Sequence, residues 1–577
     1  MRKFFKDRHA TLIVLSFIIG SLASAANIVF RETLHFIHET VFVGGSEMLG
    51  IADGGMSVLL MPILPMTGML LLIPLALKFP KEASGYGFFR FLESVNVQGG
   101  KVKLRNIFLK IIGPALTIGS GGSAGVEGPI ATVGGTIGSN LGQAFKVSGN
   151  RMKLLVAAGS AGAIASTFNA PIAGVMFAME IILLGNYELT SFAAIVISSG
   201  IATVISRAYY GASPAFTVPS YELVSPYELL LYIVLGVIVG ILAVLYIKMF
   251  YKIKDYFAAL KFSLPLKMLA GAFMVGSIGI FLPQVMADGY SVIEQALDGH
   301  IAFHILFLLI FFKMLATSLT LGSGGTGGVF APALFIGAMI GGTFGSAVHA
   351  ALPEITASSG AYATVGIGSF LAAATHAPLT GIFLLFEMTG NYEIIVPVMF
   401  SSIIGTVLAK RLFHDSIDTV ELTRKGINIH AGREVSLMSD IKVRDVMIKD
   451  VVTVKEDVPL TSLINIMINR ERFYMPVVND EGRMTGILSI QDVSPVIFED
   501  YVKGIVKAGE LSTENVITLL PDDDLNAAIE SFTLKDLEEI PVVDPDDKGL
   551  VIGMIRHMDV IAAYKKAMLK RERESRF

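Results

Sequence analysis

Gly119-Ser120-Gly121-Gly122-Ser123-Ala124-Gly125-Val126-Glu127-Gly128-Pro129 decides how this chain folds. Between Lys110 and Lys146 the only Asp, Glu, Lys or Arg is Glu127. A carboxylate in hydrocarbon costs several kcal/mol, so such a group is read as functional. The glycines let backbone approach closely and leave amide N–H groups uncovered by side chains. A helix starting near Pro129 aims its N-terminal amides and partial positive charge at whatever lies beside Glu127. The stretch describes an anion site that contains a titratable carboxylate.

The phrase returns 203 positions later as Gly322-Ser323-Gly324-Gly325-Thr326-Gly327-Gly328-Val329-Phe330-Ala331-Pro332, with Phe330 opposite Glu127 and Pro332 opposite Pro129. A second pair accompanies it. Ala170-Pro171 runs to Glu180 and Gly185-Asn186-Tyr187-Glu188, and Ala377-Pro378 runs to Glu387 and Gly390-Asn391-Tyr392-Glu393. Glycine-broken apolar segments at matching positions of two halves are the mark of a transporter built from internal repeats. Close helix packing through Gly-xxx-Gly explains the glycines alone, but neither the lone glutamate nor the repetition. Both phrases also fit Gly-x-Gly-x-x-Gly/Ala. Neither sits in a soluble strand–turn–helix unit, and no Gly-Lys-Ser/Thr follows, so a nucleotide site is rejected here.

Composition agrees with a membrane protein. Hydrophobic residues make up 53% of 577, and the mean hydropathy is +0.65, too apolar for a soluble chain of this length. A net charge of −4 argues against a nucleic-acid partner, and the absence of cysteine excludes thiolate metal sites and cysteine nucleophiles. No metal site is expected. Arg2, Lys3, Lys6 and Arg8 precede an apolar run from Ala10 to Phe30. A signal peptide can begin so; the length of the run and the many that follow favour a first membrane helix with a cytoplasmic N-terminus. Several later apolar blocks are shorter than the roughly 20 residues needed to span, which implies broken helices lining a polar cavity.

Charge density then changes. Asp, Glu, Lys and Arg supply 43 of the 137 residues from 441 to 577, against 51 of the first 440. The chain therefore divides into a membrane domain over 1–425, with repeats near 10–210 and 225–412, a linker over 426–440, and an aqueous domain over 441–577. That tail holds two similar units, near 441–500 and 510–565. One has Val452-Thr453-Val454, a helical stretch, Met475-Pro476-Val477-Val478 and Gly486 to Asp492. The other has Val516-Ile517-Thr518, a helical stretch, Ile540-Pro541-Val542-Val543 and Gly553 to Asp559.

Gly125-Val126-Glu127-Gly128-Pro129 and Gly328-Val329-Phe330-Ala331-Pro332 resemble the two signature loops of the CLC family of chloride channels and transporters, over roughly residues 10 to 425. The β-α-β-β-α rhythm of the tail resembles a tandem CBS pair. The resemblance implies a polytopic α-helical membrane protein, an inverted repeat of broken and tilted helices, followed by an α/β CBS pair. It implies a homodimer in the cell membrane, with both termini cytoplasmic and one anion pathway per subunit. Chloride and protons are the implied substrates, and no enzyme activity is implied. Glu127 would be the gating glutamate, competing with the anion for one site and taking a proton. Gly125, Val126, Gly128, Gly328, Val329 and Phe330 would form the anion site, the amides of Val329 and Phe330 coordinating a central anion. No cofactor is required; the CBS pair offers a site for ATP, ADP or AMP, with Thr453, Ser489, Asp492 and Asp559 as its candidate residues.

The chain departs from the family pattern at several positions. Tyr86, in Gly85-Tyr86-Gly87-Phe88-Phe89, stands where a serine or histidine is common, and its phenol can donate to an anion. Asp418 aligns with a second side-chain ligand, usually tyrosine; ionised it repels an anion, neutral it donates. Ile181 replaces the inner proton-transfer glutamate of many exchangers, and its neighbour Glu180 is the candidate for a proton path. Val126 replaces the usual Lys or Arg. Each has a structural alternative: an interfacial aromatic for Tyr86, a cap for Asp418 or Asp492, and a hydrogen-bond network for Glu180. Proton-coupled exchange is the expected function, with a passive voltage- or pH-gated channel as its alternative. A CBS-regulated cation transporter is disfavoured by the absence of Asp or Glu between Lys313 and Glu354. An intramembrane hydrolase is disfavoured by the lack of His-Glu-x-x-His and Gly-x-Ser-x-Gly.

Overall fold

Proline and glycine set where the helices around these phrases begin and stop. Pro129 and Pro332 lie in the first turns of helices Glu127–Ala144 and Phe330–Ala351, and Pro171 and Pro378 open helices Pro171–Phe177 and Pro378–Thr389. A first-turn proline gives up no intrahelical hydrogen bond. Gly121 and Gly324 turn the chain out of the preceding helices at φ of 102° and 124°, a conformation that a side chain resists. The computed structural model describes residues 8–147, 149–185, 189–212, 223–427, 438, 441–470, 473–496, 505–535 and 537–574. Arg2, Lys3 and Lys6, the triplet Asn186-Tyr187-Glu188 and most of the linker over 426–440 lie outside the described residues.

The chain divides into two compact units, Met1–Ile429 and His430–Phe577. In the first, eight described helices are long and apolar enough to cross a membrane, from Thr11–Met48 to Ile395–Leu412, and helices Asn106–Gly119, Pro171–Ile182 and Pro378–Thr389 are shorter. The two halves repeat element by element. Helices Glu127–Ala144 and Asn150–Phe168 correspond to Phe330–Ala351 and Ser359–Thr375. Each pair crosses at glycine, Gly134 against Gly159 and Gly337 against Gly366, where a Cβ on either member would overlap the partner's backbone.

Reciprocal contacts relate the halves by an approximate twofold. Gly125 N donates to Gly328 O at 2.8 Å, and Gly328 N returns the bond to Gly125 O at 2.7 Å. Ser123 N donates to Thr320 Oγ1 and Thr326 N to Thr117 Oγ1, both at 3.1 Å. The two signature loops are thus bonded to each other at the centre of the unit. The amides of Ser123, Gly125, Thr326 and Gly328 are satisfied within the protein, as broken segments buried in a membrane protein require.

The second unit contains a three-stranded sheet. Val454–Lys455 pairs parallel with Tyr474–Val478, which pairs antiparallel with Met484–Ser489. Glu539–Val543 and Val551–Arg556 repeat the antiparallel pair, with an irregularity at Val542/Val543 matching the one at Val477/Val478. The expected strand at Val516-Ile517-Thr518 is reduced to a single bridge from Leu519 to Val542. Leu520 N is taken by the Asp523 carboxylate at 2.7 Å, and Pro521 has no N–H to extend the ladder. Leu460, Leu463, Met475, Val477 and Leu488 form one core, and Leu525, Phe532, Ile540, Val542 and Ile555 another.

Candidate functional site

Glu127 is fully buried at the first residue of helix Glu127–Ala144. Its carboxylate crosses to the other half, where Oε2 accepts the Ala331 amide at 3.1 Å, in the first turn of helix Phe330–Ala351. Tyr290 donates its hydroxyl to Oε1. The carboxylate therefore occupies the positive end of a helix dipole, with two directed donors, as a bound anion would. Gly125 makes the approach possible: a Cβ there would lie 2.8 Å from the Ala331 amide nitrogen and against the Glu127 carboxylate.

The other loop residues surround this point. Val126, Val329 and Phe330 are buried, and a Cβ on Gly128 would touch Gly328 at 3.6 Å and the Phe88 ring at 3.7 Å. The Phe330 ring packs on Phe168 at 6.2 Å and on Phe177 at 5.8 Å, and Phe177 on Phe88 at 6.4 Å. Where one repeat supplies a carboxylate, the other supplies an apolar wall.

Tyr290 and Lys313 escaped the reading of the sequence. A turn at Gly289, with φ of 85°, starts the helix Tyr290–Leu297. The fully buried Lys313 ammonium donates to Val285 O at 3.0 Å and Ala287 O at 2.9 Å, with the Phe335 ring 4.8 Å away. This lysine anchors the loop that carries Tyr290. It is a lone charge in an apolar helix, so the argument that singled out Glu127 could have found it. No local pattern marked Tyr290. It lines a cavity of about 600 Å³ that also meets Arg31, His38, Asp288 and Glu294, and so stands between that cavity and Glu127.

Tyr86 and Asp418 meet. Each is buried, at 3% and 5% exposure, and the Tyr86 hydroxyl donates to Asp418 Oδ1. Gly85 N bonds Gly324 O at 3.0 Å, which sets the Tyr86 loop beside the second signature loop. The two residues expected at the anion site are thus brought together, and the Tyr86 proton is directed to the Asp418 carboxylate. Glu180 has the hydrogen-bond network that its structural alternative expects. Its carboxylate accepts Leu379 N at 3.0 Å, Thr380 N at 2.7 Å and Thr380 Oγ1 at 2.8 Å, at the start of helix Pro378–Thr389. Glu387 does the same for Ile172 N at 3.0 Å and Ala173 N at 2.7 Å. These glutamates satisfy the orphan amides of opposing helices. Ile181 is buried and apolar.

In the second unit, Thr453 is exposed. Asp492 Oδ2 accepts both Ser489 N and Ser489 Oγ at 2.7 Å, which is an ordinary capping arrangement. Asp559 is bound twice by Arg556, at 2.7 and 3.0 Å; these bonds hold the Arg556 guanidinium above its usual range. The four candidates are not brought to one contact cluster by hydrogen bonds. Among the described residues no group of three metal-ligating side chains forms.

Comparison with known proteins bears on this geometry. The voltage gated chloride channel family model matches residues 68–410, and the CBS domain model matches 443–499 and 508–566. A protein of Ralstonia nicotianae described as ClcB-like, a chloride channel protein by name, is 32% identical over 403 residues, covering 69% of this chain and 93% of its own. The H(+)/Cl(-) exchange transporter ClcA of Vibrio campbellii is 31% identical over 416 residues, covering 70% and 87%. The crystal structure of a slow cyanobacterial Cl-/H+ antiporter is similar with a TM-score of 0.64 and 27% identity, over 72% of this chain and 97% of that one. A eukaryotic CLC transporter has the same fold, with a TM-score of 0.64 at 20% identity, over 95% of this chain.

Proposed function

The chain belongs to the CLC family of chloride channels and transporters and ends in a CBS pair, and from that premise we propose that it exchanges chloride for protons, with Glu127 as the coupling carboxylate. It is a transport protein and not an enzyme. The observation that carries the proposal is the set of donors around Glu127. A hydroxyl and a helix-end amide hold the carboxylate as they would hold a halide. The ionised side chain and the anion then exclude each other, and protonation frees the site. Fixed dipoles suit conduction because they bind an anion without a permanent cation to trap it. Relatives named as H(+)/Cl(-) exchange transporters support the same reading.

A passive channel is the second reading, favoured by Ile181, which leaves no titratable group at the usual inner position. Reversal potentials of the purified protein in liposomes separate the two. An exchanger shifts its reversal potential when the pH gradient alone is changed. A channel follows the chloride gradient only, and that result would overturn the proposal.

The remaining assignments rest on the resemblance: a homodimer in the cell membrane, both termini cytoplasmic, and adenine nucleotide bound at the CBS pair. Asp492 and Asp559 already have partners within the chain, so a nucleotide ribose would have to share them.

A further inference from the structure

A titratable group on the inner side of Glu127 would give a proton released inward a place to rest. Ile181 supplies none, and Glu180 and Glu387 are fixed by helix-start amides. Three described carboxylates of the membrane unit are buried: Glu127, Glu228 and Asp418. Glu228 is bound by Ala357 N at 2.8 Å, Val224 N at 3.2 Å and the Tyr232 hydroxyl at 3.4 Å. Asp418 is left. Among the described residues its hydrogen-bond donor is the hydroxyl of Tyr86, and it has no ion-pair partner there.

The surroundings of Asp418 are built and nearly free of available charge. Ile417 N bonds Ala374 O at 3.0 Å, and the Tyr251 hydroxyl bonds Ile417 O at 2.7 Å, so the backbone next to Asp418 is held from two helices. From helix Glu228–Ala259 it is faced by Tyr246 and Tyr251, with Lys254 bound to Glu421 at 2.5 Å and Asp255 to Arg424 at 2.9 Å. From helix Phe88–Asn96 and its approach come Tyr86, Arg90 and Glu93; Arg90 bonds Lys81 O, and Glu93 pairs with Lys425 at 2.8 Å. On its own loop Asp415 accepts the Thr423 hydroxyl at 2.6 Å. Tyr86 and Tyr246 both pack on Phe250, at 5.7 and 6.4 Å, and the Tyr246 hydroxyl is buried with no hydrogen-bond partner. An orphaned donor of this kind is costly unless something is there to receive it.

We propose that Asp418 is the inner proton-exchanging carboxylate of the pathway and, with Tyr86, its inner gate. The proposal rests on the reading of Glu127 as the coupling group. Ionised, Asp418 keeps the Tyr86 hydroxyl and repels chloride. It takes the proton that Glu127 gives up, through water, and becomes a neutral acid. Tyr86 is then released, and its hydroxyl and that of Tyr246 face an anion together. Loss of the same proton to cytoplasmic water restores the carboxylate and the Tyr86 bond. One proton enters and one leaves, and no other bond changes.

The test uses the full-length protein in liposomes, with chloride and proton fluxes recorded together and pH varied on each side separately. Asp418→Asn is expected to lower the protons moved per chloride at least tenfold, while the chloride flux that persists no longer varies with cytoplasmic-side pH. A wild-type ratio in Asp418→Asn overturns the inference, and leaves the proposed function standing if Glu127→Gln abolishes proton movement. If Glu127→Gln also keeps the wild-type ratio, the exchange reading fails with it. Should Asp418→Asn not fold, Tyr86→Phe decides. It is expected to move the cytoplasmic pH dependence by at least threefold in proton concentration, and an unmoved profile overturns the inference.

Discussion

Tyr290 donates to the Glu127 carboxylate where that carboxylate also accepts the Ala331 amide. A buried hydrogen bond to a charged group contributes about 1.5–3 kcal/mol, roughly a ten- to hundredfold bias in favour of that closed arrangement. Tyr290→Phe removes the bond and keeps the ring. Chloride flux at neutral pH should therefore rise, while protons remain coupled because Glu127 is intact; an unchanged flux would show that the bond does not bias the gate. Glu127 could be found from sequence because a lone charge in an apolar run is conspicuous. Tyr290 could not, since it arrives from 163 positions away with no local pattern. Tyr86 and Asp418 were each visible as departures from a family pattern. Their pairing across 332 positions belongs to the fold alone.

Helix ends explain what single residues do not. Glu180 and Glu387 each bridge to the opening amides of the other repeat's helix, so neither half caps its own. Removing one such charge leaves one buried and one exposed amide with weaker partners, at about 1–3 kcal/mol. Glu180→Gln and Glu387→Gln should lower the melting temperature in detergent by similar amounts and leave the proton-to-chloride ratio unchanged. A Glu180→Gln protein of full stability that no longer couples would restore Glu180 to a proton path. Glycine at the helix crossings makes a second case. Gly337→Ala forces Cβ into the Gly366 backbone, and overpacking of this kind costs about 1–3 kcal/mol. Gly134→Ala should behave alike, because the repeat places it against Gly159. The broken helices were legible from apolar runs too short to span. The exchange of caps was not, because matched glutamates in two repeats do not reveal which helix each will reach.

At the scale of the molecule, charge density rises after residue 440, and the chain divides into two compact units at Ile429–His430. The doubled CBS unit was read from repeated Pro-Val-Val and Gly-to-Asp phrases, whereas the loss of one expected strand depended on the local competition between Asp523 and the ladder for Leu520 N. Nucleotide binding at this pair predicts a raised melting temperature of the full-length protein at millimolar ATP, ADP or AMP, and no shift with any of the three would count against it. The asymmetry between the repeats, Glu127 in one and Phe330 in the other, is the centre of the proposed mechanism. Its most direct test is a chloride gradient imposed on liposomes holding the purified protein, with external pH followed over time. The wild type should drive protons against their own gradient, and Glu127→Gln should pass chloride with no proton movement. A Glu127→Gln protein that still drives protons uphill would contradict the account.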